Sequence, residues 1–139
     1  MPWLADVITV LEDANVGTFG SNIFASTQAS IPILPSGAAT CHLIETGGTA
    51  PDHTQNKTAI YPAYSQPGCQ LTFRAGTYQQ ARDMADEAFQ ALFIRNRFIN
   101  SGWYVWVKAL QEPSDGGKDA RGQAQVGFNI VAKYNRRGN

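Results

Sequence analysis

The stretch PGCQLTFRAGTYQQARDMADEAFQAL, residues 67–92, decides the fold because it carries a strand, a turn and a helix in immediate succession. Apolar and polar residues alternate over 69–74, which is the period of a strand with one buried face. Thr77 is placed to cap the following helix, with Gln80 completing a capping box. A strand and a helix joined so closely must share one core, because neither can bury its apolar side alone.

The helix after Thr77 has one apolar stripe and one charged side. The stripe consists of Tyr78, Ala81, Ala85, Ala88, Phe89 and Leu92. The residues away from it are Arg82, Asp83, Asp86 and Glu87. We expect this helix to continue to about Arg95–Asn96, where a turn signal at Asn100-Ser101-Gly102 follows.

Composition indicates a folded, soluble chain without a charged signature. The 139 residues suit a single domain over 1–139, and 11 basic residues balance 11 acidic ones. A zero net charge gives no global basic footprint for nucleic acid. Without a long apolar run or a leader pattern, we expect a protein that is made in the cytoplasm and has no membrane partner.

The remaining segments add a helix, several strands and two loops. Residues 3–13 predict a short helix with Trp3, Leu4, Val7, Ile8 and Leu11 on its apolar side and Asp6, Glu12 and Asp13 facing away. Strands are predicted at 20–27, 39–46, 103–110 and 123–134, the third buried on both faces. An irregular arm is expected at about 47–67, a charged hairpin loop at 112–122 and a frayed basic tail at 135–139.

This order of elements predicts an α+β fold. The sheet should be antiparallel or mixed with four to five strands, and two helices should pack on one of its faces. The last strand alternates cleanly, with Ala124, Val126, Phe128, Ile130, Ala132 and Tyr134 directed inward.

The other face of the predicted sheet is polar and nearly uncharged. It offers Gln70, Thr72, Arg74, Gln123, Gln125 and Asn129. A purely solvated face usually carries more Lys and Glu. We therefore expect these side chains, together with Lys118, Asp119 and Arg121 of the charged loop, to contact a neighbouring subunit or line a water-filled lumen.

Residue patterns for catalysis and for cofactors are missing from the sequence. No phosphate-binding loop, nucleophile elbow or dinucleotide fingerprint occurs. Cys41, His42, His53 and Cys69 lack zinc-ligand spacing, so we expect buried thiols and no metal. The prediction is a protein that is not an enzyme and needs no cofactor.

Several short motifs resemble the small tail-terminator, or minor capsid (neck), proteins of tailed bacteriophages. They are the "PG-x-Q-x-x-x-R" strand at Pro67–Arg74, the "Y-x-x-A" helix at Tyr78–Ala81 and an apolar strand ending near Pro113. A "G-x-D-x-x-G" loop at Gly117–Gly122 and a final alternating strand follow. The last strand departs slightly from the family's "F-x-N" and reads Phe128-Asn129. The resemblance covers roughly residues 60–134 and, more loosely, the first helix.

The resemblance implies a structural protein of the virion, made in the bacterial host cytoplasm. Such a protein forms a homo-oligomeric ring, expected to be a hexamer, that caps the tail tube, ends its polymerisation and joins it to the head-tail connector. Passing genomic DNA would be contacted at most non-specifically. Two alternatives remain open: a head-completion or connector ring of the same neck, and a small cellular ligand-binding module using His42, Arg74 and Glu45.

Overall fold

A mixed β-sheet with two helices on one side forms the framework of the molecule. The computed structural model describes residues 2–25, 39–52, 64–100, 102–118 and 122–136, and only the backbone of Pro2, 48–52 and Arg136. Within these residues the elements are α1 (Pro2–Asp13), β1 (Ile23–Ala25), β2 (Thr40–Asp52), β3 (Tyr64–Ala75), α2 (Tyr78–Ala91), β4 (Ile94–Ile99), β5 (Gly102–Ala109), β6 (Ser114–Lys118) and β7 (Ala124–Arg136). The α+β prediction is confirmed, with more strands than the four to five expected.

The strands lie in the order β1-β2-β3-β7-β5-β4, and β6 also pairs with β7. Strand β1 runs parallel to β2, and every other pairing is antiparallel. Strand β7 is the centre of the sheet: β3 covers one of its edges, while β5 and β6 share the other, one after the other. Because β7 has 13 residues, it can hold both short strands in line.

Both helices pack on one face of the sheet, here called the inner face. The core under them is formed by alternate residues of the strands, among them Leu43, Leu71, Phe73, Phe128 and Ile130, all at most 1 % exposed. The predicted inward set of the last strand is confirmed, with Tyr134 packed against the core and the others buried. The opposite side, here called the outer face, carries the polar positions of the same strands.

Helix α2 begins as predicted but ends earlier. The Thr77 side chain accepts a hydrogen bond of 3.3 Å from the Gln80 amide, which confirms the cap. The helix ends at Ala91 rather than near Arg95, because residues 94–99 pair with β5 as strand β4. Long-range strand pairing therefore overrides the local helical preference.

The predicted stripe of α2 is correct at its centre and wrong at its start. Ala81, Ala85, Ala88 and Leu92 are buried, and Phe89 is partly buried against the core. Tyr78 is 41 % exposed, and its hydroxyl accepts a hydrogen bond from Arg82. Met84, absent from the prediction, is buried instead.

Helix α1 spans the predicted residues, but Asp6 does not face solvent. Its side chain is 2 % exposed and accepts hydrogen bonds from the Tyr104 hydroxyl and, at 2.6 Å, from the Asn100 amide. Trp3 stacks on the ring of Tyr104 and its indole donates to the Gly68 carbonyl. A buried carboxylate is tolerated here because donors on the sheet satisfy it.

Strand β5 is not buried on both faces. The register with β7 shifts between Tyr104 and Trp106, and the register with β4 omits Val105 and Asn96, which has φ 48°. This irregularity puts Tyr104 and Val107 into the core and leaves Trp106 half-exposed on the outer face. Strict alternation would instead put Tyr104 and Trp106 on one face of the strand and Val107 on the other.

Two segments predicted as loops are partly strand. The two ends of the predicted 47–67 arm belong to a strand pair, since β2 runs to Asp52 and β3 begins at Tyr64, while residues 53–63 lie outside the described residues. Part of the predicted 112–122 loop is β6, which pairs with β7. Its Gly and Asp residues have low strand propensity, so the sequence does not predict this strand.

Candidate functional site

Strand pairing brings together most of the polar residues singled out in the sequence. Gln70 lies opposite Asn129, and Arg74 lies opposite Gln125. Thr72 stands between them, facing Gly127. Since side chains of directly paired residues share a face, these groups form one polar surface on the outer face. All of these side chains are half-buried or exposed, so the surface is accessible.

Arg74 is held on this surface by two neutral partners. Its Nε donates to Gln125 Oε1 at 3.2 Å, and its Nη1 lies 3.2 Å from His42 Nδ1. Because guanidinium groups only donate, the imidazole Nδ1 must accept. Burial and then the charge of Arg74 lower the pKa of His42 below its ordinary value. These two contacts orient the Arg74 guanidinium on the outer face.

The remaining candidate residues are not all part of this surface. Gln123 precedes β7 and is only 7 % exposed, so its predicted place on the accessible face is wrong. Gln123 lies one residue before β7, which begins at Ala124, so the alternation of that strand does not fix the direction of its side chain. Lys118 is exposed at the end of β6, opposite Ala124. Asp119 and Arg121 lie outside the described residues.

A second part of the outer face was not found from the sequence. Lys108 Nζ lies 4.6 Å from the centre of the Trp106 ring, and Lys133 Nζ lies 5.1 Å from that of Tyr64. The Arg95 guanidinium lies 5.7 Å from the ring of Phe93. These three cation–aromatic contacts define what we call the basic–aromatic region.

Strand register explains how this region forms. Trp106 pairs with Arg95 on one side and with Lys133 on the other, so a cation flanks the indole on each neighbouring strand. Lys108 lies two residues further along the same strand and therefore on the same face. The only sequence signal for it is the W-x-K spacing, and the irregularity at Val105 hides which face those residues share.

A shallow groove of about 620 Å³ runs between the two parts of the outer face. Trp106, Lys108 and Asn129 form part of its lining, and no described lining residue is a carboxylate or an imidazole. Of the residues expected in a ligand-binding module, His42 and Arg74 are in contact. Glu45 pairs with the inward-facing Cys69 and so belongs to the other side of the sheet. The three groups do not converge on one cavity.

The cysteines fit the prediction of buried thiols. Cys41 and Cys69 are free and fully buried. Burial raises the pKa of Cys69 to about 12 and that of Cys41 well above its usual range. Among the described residues, no group of three or more His, Cys, Asp or Glu side chains could hold a metal ion. No helix in the described part of the chain is long and apolar enough to span a membrane.

Comparison with known proteins gives a match in structure and none in sequence. No protein-family model matches the chain, and no curated protein matches it. A chain from the virion of a native gene transfer agent (GTA) particle does match, with a TM-score of 0.64. The fold is that of a virion chain. The match covers 94 % of this chain and 92 % of that one at 14 % identity, so the likeness is one of fold.

Proposed function

We propose that this protein is a structural component of a phage-type virion and forms the ring that caps the tail tube at the neck. In that position it ends tube polymerisation and joins the tail to the head-side connector. The observation that carries the proposal is the match with a virion chain across nearly the whole length of both chains. Motifs over residues 60–134 that resemble tail-terminator proteins point to the neck in particular.

The outer face supports an assembly role. Uncharged polar groups such as Gln70, Thr72 and Asn129 lie beside exposed Ile44, which is 42 % accessible. Polar groups of this kind form hydrogen bonds across an interface without the cost of desolvating full charges. The surface suits contact with a second protein chain or a water-filled lumen better than it suits a small ligand.

The proposed ring needs two different surfaces on each copy. A ring closes when a heterologous contact repeats with a fixed rotation, and the expected number of copies is six. A standard interface of about 800 Å² per partner is within reach for a chain of this size. The direct partners would be further copies of the chain, the tail tube protein and the connector.

Tube growth in vitro tests the function. Purified tail tube protein from the same genome is allowed to polymerise with and without this protein, and tube lengths are measured by electron microscopy. The proposal predicts short tubes with a ring at one end. If tube length does not change and the protein instead binds the isolated connector, the head-completion role replaces the proposed one. Binding to neither partner contradicts a place in the neck.

A further inference from the structure

We propose that neighbouring copies in the ring are joined by contact between the basic–aromatic region of one copy and the acidic exposed side of α2 of the next. This inference rests on the proposed ring and names the surfaces that close it. It follows from the way in which a chain of zero net charge divides its charges between its two faces.

The two helices carry mostly acidic residues. Together α1 and α2 contain six of the chain's eleven Asp and Glu residues, of which Asp6 is buried, and one of its eleven Lys and Arg residues. On α2, Asp83 and Glu87 are exposed and lie one turn apart. The single cation of the two helices, Arg82, is already paired with Asp86 at 3.0 Å. The exposed side of α2 therefore keeps an excess of negative charge.

The outer face has the opposite sign. Its cations are Arg95, Lys108 and Lys133 in the basic–aromatic region and Arg74 further along the sheet. By the strand register, no Asp or Glu among the described strand side chains points to this face. The two helices and the outer face lie on opposite sides of one sheet, so they supply the two different surfaces that a head-to-tail contact requires.

The charge spacings of the two surfaces are comparable. Arg95, Trp106 and Lys133 form a row across three strands, which places the two cations about 10 Å apart at the backbone. Residues one helical turn apart, such as Asp83 and Glu87, are separated by about 6 Å along the axis. Flexible Lys and Arg side chains span the difference. The half-exposed Trp106 between the cations supplies an aromatic anchor of the kind that dominates interface energies.

Charge exchange tests the contact. One variant carries Arg95→Glu and Lys108→Glu, a second carries Asp83→Lys and Glu87→Lys, and a third carries all four changes. Every changed residue is exposed, so each variant should keep the fold, which circular dichroism checks. Arg97→Glu is the matched control, because Arg97 is also exposed on β4 but pairs with the inward-facing Tyr104.

Ring formation is measured by native mass spectrometry, in free solution and on assembled tubes. The first two variants should each lose ring affinity by about tenfold or more, given measured couplings between close interfacial charges. The third variant, which carries all four substitutions, should form rings again, and so should an equal mixture of the first two variants. Arg97→Glu should assemble as the wild type does, and rising salt should weaken the wild-type ring.

Several results would overturn the inference. If rings persist in both the first and the second variant, this pair of surfaces is excluded while the ring proposal stands. The same holds if the third variant does not form rings again. Wild-type protein that never assembles, in solution or on tubes, removes both proposals. If the first variant keeps its rings but loses binding to duplex DNA, the basic–aromatic region serves nucleic acid instead.

Discussion

Replacing Tyr104 by Phe should destabilise the protein by about 2 kcal/mol through the loss of one hydroxyl. The Tyr104 hydroxyl donates to the Asp6 carboxylate inside the molecule, where Asn100 is a second donor at 2.6 Å. Hydrogen bonds to charged groups contribute about 1.5–3 kcal/mol, and the acceptor here stays buried at 2 % exposure. Phe keeps the ring that stacks between Trp3 and Tyr134, so the difference isolates the hydroxyl.

Urea unfolding followed by tryptophan fluorescence measures the loss, and thermal unfolding should show a fall in Tm of roughly 3 °C per kcal/mol. Asp6→Ala should cost a similar amount or more, because it leaves the buried Tyr104 hydroxyl and the Asn100 amide without this acceptor. The loss of stability in the double variant should differ from the sum of the two single losses by about 0.5–3 kcal/mol. Asp13→Asn, at an exposed position of the same helix, is the control and should stay within about 0.5 kcal/mol.

The reasoning is refuted if Tyr104→Phe costs less than about 0.5 kcal/mol and adds independently to Asp6→Ala. That result would mean that the apolar packing of α1 alone fixes the helix on the sheet. It would also remove the explanation for a buried carboxylate in this position.

Three further predictions follow from burial and pKa. Leu92→Ala should cost about 2–5 kcal/mol by urea unfolding, because the side chain is 2 % exposed, whereas Phe93→Ala at 66 % exposure should be nearly neutral; equal losses would contradict the assigned helix face. Burial lowers the pKa of His42 below 6.5, so the unfolded state protonates first; stability should decline as pH falls below about 6.5, and His42→Gln should flatten that decline. Cys41 and Cys69 should resist iodoacetamide in the native protein and react in urea, as mass spectrometry would show; rapid native labelling would contradict their burial and raised pKa.

The elements that the sequence predicts correctly are those whose patterning is regular. The alternation of β7 and the cap at Thr77 lead to the α+β class and to the shared face of Gln70 and Asn129. Local patterns of this kind are strong because side-chain direction repeats every two residues in a strand. They are sufficient to place the polar part of the outer face.

The features that the sequence does not predict depend on contacts between residues that are far apart in the chain. The helical pattern of α1 assigns Asp6 to the solvent side, because its donors, Asn100 and Tyr104, lie more than 90 positions further along the chain. Asn96 has a left-handed backbone conformation, and neither it nor Val105 is among the paired residues of β4 and β5. This irregularity changes which side chains of the two strands share a face. The basic–aromatic region arises from that change, so strict alternation could not reveal it.

The same limit applies to the short strands. Nothing in the glycine-rich 114–118 predicts β6, which forms because β7 extends past the end of β5 and leaves an edge to pair. Likewise, the first residues of β4 are predicted as the end of a helix because their pairing partner β5 lies beyond the next turn. In both cases tertiary pairing outweighs local propensity.

The central claim is that copies of this chain form a closed ring at the neck of a virion, where the tail tube meets the head-side connector. A cryo-electron microscopy reconstruction of the particle neck, combined with native mass spectrometry of the isolated neck, tests it most directly. We expect a ring of six 15.1-kDa chains between the tube and the connector. A chain that is monomeric at every concentration and also monomeric or absent in the particle would contradict the account.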